Sequence, residues 1–165
     1  MVRRLDIKDF NFMNHILTHP SILPAITDDG WLDENRIIAG EHYLESDQIY
    51  VLSTGRNNVF IFEPLNAVTY EAHIHCLPAG RKQAAFDASI EVIKWMFKNT
   101  NCLKINAITP EIMEYMTRFV SNLRFRREGL SRKSFLKNSV LTNEIYWGLT
   151  KEEFYNWIIS IRRIH

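Results

Sequence analysis

Residues 76–97 read CLPAGRKQAAFDASIEVIKWMF, and the reading of this stretch decides the fold. Pro78 stands at the entrance of a short polar loop, and Phe86, Ile90, Ile93, Trp95 and Met96 then recur at helical spacing. A strand end, a loop and a long amphipathic helix follow one another. Such a junction offers unpaired backbone N–H groups and the positive end of a helix dipole to an anion. The glycines that let a main chain approach a phosphate closely are missing, because Arg81-Lys82-Gln83-Ala84-Ala85-Phe86 contains none.

Three short apolar runs precede the junction: IYVLST (49–54), VFIFEPL (59–65) and VTYEAHIHC (68–76). Tight turns join them, so they read as an antiparallel meander. Upstream, VRRLDI (2–7) is expected to be a first strand. Asp9 is expected to cap a helix that stops at His19-Pro20, since a residue before proline avoids the helical region. A loop follows with a turn at Asp28-Asp29-Gly30, and then a helical stretch over residues 32–44 weakened by Gly40. Downstream, CLKINAI (102–108) reads as a buried strand, and Thr109-Pro110 as the start of a helix running to Asn122. A last hairpin leads to a closing helix with Phe154, Trp157, Ile158 and Ile161, for which Thr150 and Glu153 form a capping box. The expected fold is α+β: one domain over residues 1–165, with a mixed, mostly antiparallel sheet of about seven strands flanked by helices.

Composition narrows the function. The 165 residues are 46% hydrophobic and 24% charged, a globular balance, with a formal charge of +1 that argues against a generic nucleic-acid binder. The charge is uneven: residues 1–117 carry ten Lys/Arg against fifteen Asp/Glu, and residues 118–165 carry ten against four. The basic third could face an anionic ligand or an acidic partner, or be a solvated face. Only Cys76 and Cys102 are present, with no finger spacing, so neither a disulfide framework nor a metal site is expected. No signal peptide and no membrane-spanning run is read from the sequence.

The element order, with its proline-led loop after the fourth strand, resembles the GNAT (Gcn5-related N-acetyltransferase) superfamily. LRFRREGLSRKSFLKN and NEIYWGLTKEEF are similar to the last helix end and hairpin of the branch that acetylates ribosomal-protein N-termini. Arg124-Phe125, Glu128-Gly129 and residues 132–138 take the places of that branch's Gly-Phe pair, acid-glycine pair and basic hairpin. The style of HIHCLPAGRKQAAFDASIEVIKWMFKNTN also resembles GNAT-like head-assembly proteins of short-tailed phages. The first resemblance implies acetyl-CoA as cofactor, held by Leu77, Arg81, Lys82, Gln83, Ala84 and Ala85, and a homodimer as an expected assembly. Against it, Ala84 replaces the first glycine of the superfamily's pyrophosphate pattern, and Phe86 stands where a very small residue belongs. Met113 and Val120 occupy the places of the cofactor-contacting Asn and the proton-donating Tyr, and neither can donate a suitable hydrogen bond.

On the fourth strand Glu71, His73 and His75 share one face and Ala72, Ile74 and Cys76 the other. The resemblance makes Glu71 a general base, and His73 beside it has the right intrinsic pKa for proton transfer. Tyr146 on the last strand could donate to a substrate carbonyl. The alternative is a half-exposed strand with a polar face. Two functions are therefore open. One is a phage accessory protein acting in head assembly in the bacterial cytoplasm or within the virion, with weakened or lost acetyl-CoA chemistry and a phage structural protein as partner. The other is an active acetyl-CoA-dependent N-acetyltransferase on a protein or small-molecule amine.

Overall fold

The computed structural model describes residues 1–29 and 40–162, with side chains through residue 160. Its centre is a seven-stranded sheet in the order β1-β2-β3-β4-β5-β7-β6. The strands are β1 (Arg3–Arg4), β2 (Tyr50–Ser53), β3 (Asn58–Pro64), β4 (Thr69–Cys76), β5 (Lys104–Pro110), β6 (Arg126–Lys137) and β7 (Val140–Thr150). Every neighbouring pair is antiparallel except β4–β5, which is parallel because the chain between them crosses back as a helix. The meander and the final hairpin are where the alternating runs place them. The hairpin turns in two residues, Asn138 (φ 51°) and Ser139 (φ 62°), between the pair Lys137↔Val140. Both central residues have the positive φ that a tight hairpin turn matched to the strand twist requires.

Helices cover both faces. Helices α1 (Phe10–Leu17), α2 (Leu23–Ile26) and α3 (Glu41–Glu45) pack Met13, Ile16, Leu17, Ile26 and Tyr43 against Val51, Val59 and Ile61. On the other face lie α4 (Gln83–Asn99), α5 (Glu114–Asn122) and α6 (Lys151–Arg162). Their Val92, Met96, Phe97, Val120 and Phe154 join Phe60, Phe62, Ile105, Trp147 and Leu149 in the larger core. An aromatic run couples α6 to the length of α4: Phe97 to Phe154 (5.6 Å), Phe154 to Trp157 (6.1 Å), Trp157 to Phe86 (6.3 Å). Phe86 is thus a packing residue, turned to Trp157 rather than into the loop before it.

Several expected boundaries shift for physical reasons. Strand β1 is two residues long, because Asp6 caps a 3-10 turn at Ile7–Asp9. Asp9 makes no cap bond to α1; its carboxylate instead accepts from the Asp6 N–H, completing a capping box one element earlier. The loop expected after Pro20 contains the short α2. Thr109-Pro110 ends β5 instead of opening a helix, since pairing with β7 runs on to Pro110↔Glu144 and α5 starts at Glu114. The expected turn at 28–30 and helix at 32–44 fall largely outside the described residues, as does the Ile161 side chain. The capping box at α6 forms as read: the Glu153 N–H donates to Thr150 Oγ1 (3.2 Å), and the Thr150 N–H to Glu153 Oε2 (2.9 Å).

Candidate functional site

The junction at residues 76–86 is built from the backbone up. Pro78–Gly80 form a 3-10 turn, Arg81 is extended, and Lys82 then adopts φ 59°, ψ −126° before α4 begins at Gln83. That conformation belongs to glycine, and a lysine held there stores strain of the order of 1–3 kcal/mol. The surroundings enforce it. Gly80 is wedged on the β2–β3 turn, where an added Cβ would come within 2.8 Å of the Asn57 backbone oxygen. Leu77 N–H donates to that oxygen (2.9 Å), while the Leu77 side chain packs toward the α1 core. The Arg81 guanidinium donates to the carbonyls of Cys76 (3.2 Å) and Ser21 (2.8 Å), so it ties the loop to the α1–α2 link rather than reaching outward. No side chain caps α4. Phe86 makes the first helical bond, to Lys82 O (3.1 Å), which leaves the N–H groups of Gln83, Ala84 and Ala85 without backbone acceptors among the described residues. Three aligned donors at a helix start, beside Lys82, form an anion cradle without a glycine.

Above this cradle the sheet opens. β4 and β5 pair only at Thr69↔Lys104, Tyr70↔Ile105 and Glu71↔Asn106. β4 nevertheless stays paired with β3 to its end at Cys76, and β5 with β7 to Pro110. Beyond Glu71 and Asn106 the two parallel strands therefore diverge, and the gap widens toward the end of β4 from which the cradle springs. Cradle and gap together could hold an extended thioester cofactor, its phosphates on the N–H groups.

The polar face of β4 borders this gap as the alternation predicts. His73 Nε2 lies 3.3 Å from Glu63 Oε1 and 3.4 Å from Glu71 Oε1, so one ring nitrogen meets two carboxylates. Among the described residues no three His, Cys, Asp or Glu are placed to hold a metal ion. Such a cluster can receive an ammonium group and take up a proton from it. Glu63 comes from β3, directly opposite Glu71 in the register. His75 is only 7% exposed, and its Nδ1 has no hydrogen-bond partner. Burial, aided by the neighbouring His73, pushes its pKa down to about 3, so the ring is neutral. Cys76 and Cys102 are both pushed up to about 11 by burial, which keeps them as thiols and outside the chemistry.

The remaining sequence candidates divide. Tyr146, opposite Ile108 in the register, is 40% exposed on the second arm of the gap and on the face that Asn106 shares. Val120 is buried in the α5 core and Met113 precedes α5, so neither place supplies a donor. Tyr115 is 62% exposed and turned outward. Asn106 and Glu63 were not legible as site residues. Asn106 Oδ1 is buried and unpartnered at the last β4–β5 pair. Only the point where that pairing ends, a long-range property, marks it out.

Sheet order, divergent parallel pair and open helix start together define the GNAT fold, and the solved structures that resemble the chain carry it. A spermidine N-acetyltransferase from Vibrio cholerae, in complex with CoA and spermine, matches with a TM-score of 0.75 and 15% identity over 94% of this chain and 98% of that one. A chimera of that enzyme matches with a TM-score of 0.76 and 13% identity over 94% and 98%. An N-acetyltransferase from Staphylococcus aureus matches with a TM-score of 0.71 and 12% identity over 91% and 96%. At these identities the likeness is one of fold. No family model matches the sequence, and no curated protein matches it either. No helix among the described residues is long and apolar enough to cross a membrane.

Proposed function

We propose that this chain is an acetyl-CoA-dependent N-acetyltransferase that acylates an amine. The observation that carries the reading is the divergence of β4 from β5 directly beyond Glu71 and Asn106, beside the three N–H groups that open α4 and find no acceptor among the described residues. The presence of CoA and a polyamine in a neighbour of the same fold supports the reading. Acetyl-CoA would supply the acyl group as a thioester; the chain supplies position and proton transfer. Gln83, Ala84 and Ala85 offer N–H groups to the pyrophosphate. Glu71 and His73 hold the amine end of the acceptor and take its proton, and Tyr146 stands on the opposite arm as a proton donor.

The test is calorimetric titration with acetyl-CoA and with desulfo-CoA, followed by an amine screen. Micromolar binding is expected, and Glu71→Gln is expected to cut turnover about a hundredfold while leaving acetyl-CoA affinity unchanged. Absence of binding up to millimolar acetyl-CoA would retire the enzyme reading and return the chain to the phage head-assembly reading, for which the comparisons supply no support.

A further inference from the structure

The last hairpin carries its own side chains out beyond the helices that cover the rest of its face. Residues 141, 143, 145 and 147 share one side of β7, the side on which α4, α5 and α6 pack. That cover stops partway along: Ile145 is 4% exposed and belongs to the core, whereas Leu141 is 52% exposed. The register brings β6 residues onto the same side, with Arg127 beside Trp147, Leu130 beside Ile145 and Leu136 beside Leu141. Leu130 and Leu136 are exposed as well. Between them β6 bulges over residues 132–134, and there Lys133 stands level with Asn143. Cation, leucine, cation and leucine thus follow one another up the ribbon, about 7 Å apart at two residues per step. The bulge is pinned. The Lys133 N–H donates to Asn143 Oδ1 (3.0 Å), Asn143 Nδ2 donates to Glu111 Oε2 (2.6 Å), and Lys133 is held at φ 51°. The cations are also free. Arg118 and Arg126 pair with Glu114 and Glu153, but no acid among the described residues pairs with Arg127 or Lys133.

We propose that this face docks an extended acidic segment of another protein, with carboxylates and apolar side chains alternating along one side of it. Every second residue of an extended chain faces the same way, again about 7 Å apart. Each carboxylate therefore meets Arg127 or Lys133 while each apolar side chain meets a leucine. The charge pairs set register and the leucines supply apolar area. Other occupants match the face less closely. A second copy laid hairpin to hairpin would set Arg127 and Lys133 against their own kind. A nucleic acid would neutralise the cations but find leucines where bases need rings to stack on. An anionic lipid surface attracts basic residues without any fixed spacing, so it has no use for a pinned bulge. Glu71 pairs with Asn106, and Asn106 with Gly148, which places the reacting side of the sheet opposite Trp147 and Arg127. The docked segment is accordingly a partner and not the acyl acceptor, and the claim stands apart from the acyltransferase reading.

The experiment titrates 15N-labelled protein with the peptide Glu-Ser-Leu-Ser-Glu-Ser-Leu, blocked at both ends, and with two controls in which Gln replaces Glu or Ser replaces Leu. Amide shifts are expected over residues 127–136 and 141–147, with an affinity about fivefold above either control at low salt. The advantage over the Gln peptide is expected to disappear in about 0.5 M salt. Arg127→Gln combined with Lys133→Asn removes both charges, and asparagine accepts the positive φ more readily than lysine. That variant is expected to bind the Glu and Gln peptides alike. Should it fail to fold, the wild-type shifts and their salt dependence decide alone. Equal affinity for all three peptides, shifts centred elsewhere, or no binding up to about 5 mM peptide overturns the proposal. Three further results reassign the face and overturn it too: a dimer in sedimentation that the double variant abolishes, or shifts at these amides that only phosphatidylserine vesicles, or only a DNA oligonucleotide, produce.

Discussion

Arg124 sits at φ 68° just after α5, a backbone conformation that favours glycine. Its N–H donates to Ser121 O (3.0 Å) and that of Phe125 to Val120 O (3.4 Å), the paired bonds of a helix C-terminus that turns left-handed. The turn forms here without the glycine that would make it easy. Arg124→Gly is therefore expected to stabilise the protein by about 1 kcal/mol, or about 2–4 °C in Tm, read by thermal unfolding. His75 sets a second expectation at this scale. With its pKa near 3 in the native state against an ordinary 6.5, the unfolded chain binds a proton that the native chain refuses between those values. Its contribution to stability is complete above about pH 6.5 and declines as pH falls toward 3, by up to about 1.36 kcal/mol per unit. Urea midpoints at pH 7 and pH 5 check this: wild type should lose more stability than His75→Leu, and equal losses would contradict it. Residue identity was enough to see the missing glycines and the absent donors at Met113 and Val120. It could not show that Lys82 would take a glycine conformation regardless, because the contacts that fix its loop come from far along the chain, as Ser21 does to Arg81.

At the scale of elements, period-two alternation made the β4 faces legible, since Glu71, His73 and His75 needed only strand geometry to be placed together. The start of α5 was not legible, because Thr109-Pro110 is locally a good helix opening, and only the ladder to β7 keeps it extended. The open start of α4 yields a prediction that separates folding from function. Ala84 is exposed in the first turn, where a carboxylate favours the helix dipole yet repels a pyrophosphate. Ala84→Glu should leave Tm unchanged or slightly raised while weakening acetyl-CoA binding about tenfold. Unaltered acetyl-CoA affinity, measured by calorimetry, would mean that the phosphates do not rest on α4.

Across the whole molecule, the sheet is two arms joined by three register pairs, and a second tie spans them at the surface. Asp29 accepts from the N–H groups of Asn138 (2.8 Å) and Ser139 (2.7 Å) at the hairpin tip, and Lys137 Nζ donates to Thr27 O (2.6 Å). The hydrogen bonds from Ser139 and Asn138 hold the Asp29 carboxyl below its ordinary range, so the tie is made above about pH 3.8 and released as acid protonates it. Asp29→Ala is expected to lower stability at pH 7 and to flatten its loss toward pH 3, because the tie that acid releases is already absent. Urea midpoints at pH 7 and pH 3 check this, and a loss equal to that of wild type would refute the tie. The basic hairpin visible in the composition thus finds part of its purpose inside the molecule. At its outer edge, β6 slips register against β7 between Arg127 and Gly129 and again between Ser131 and Phe135. These interruptions cut the free rim of the sheet into short pieces, flanked by Arg126, Arg127, Arg132 and Lys133. A second chain seeking to extend the sheet finds no continuous ladder to copy and meets like charge instead, which protects the molecule from growing into fibrils through its own edge.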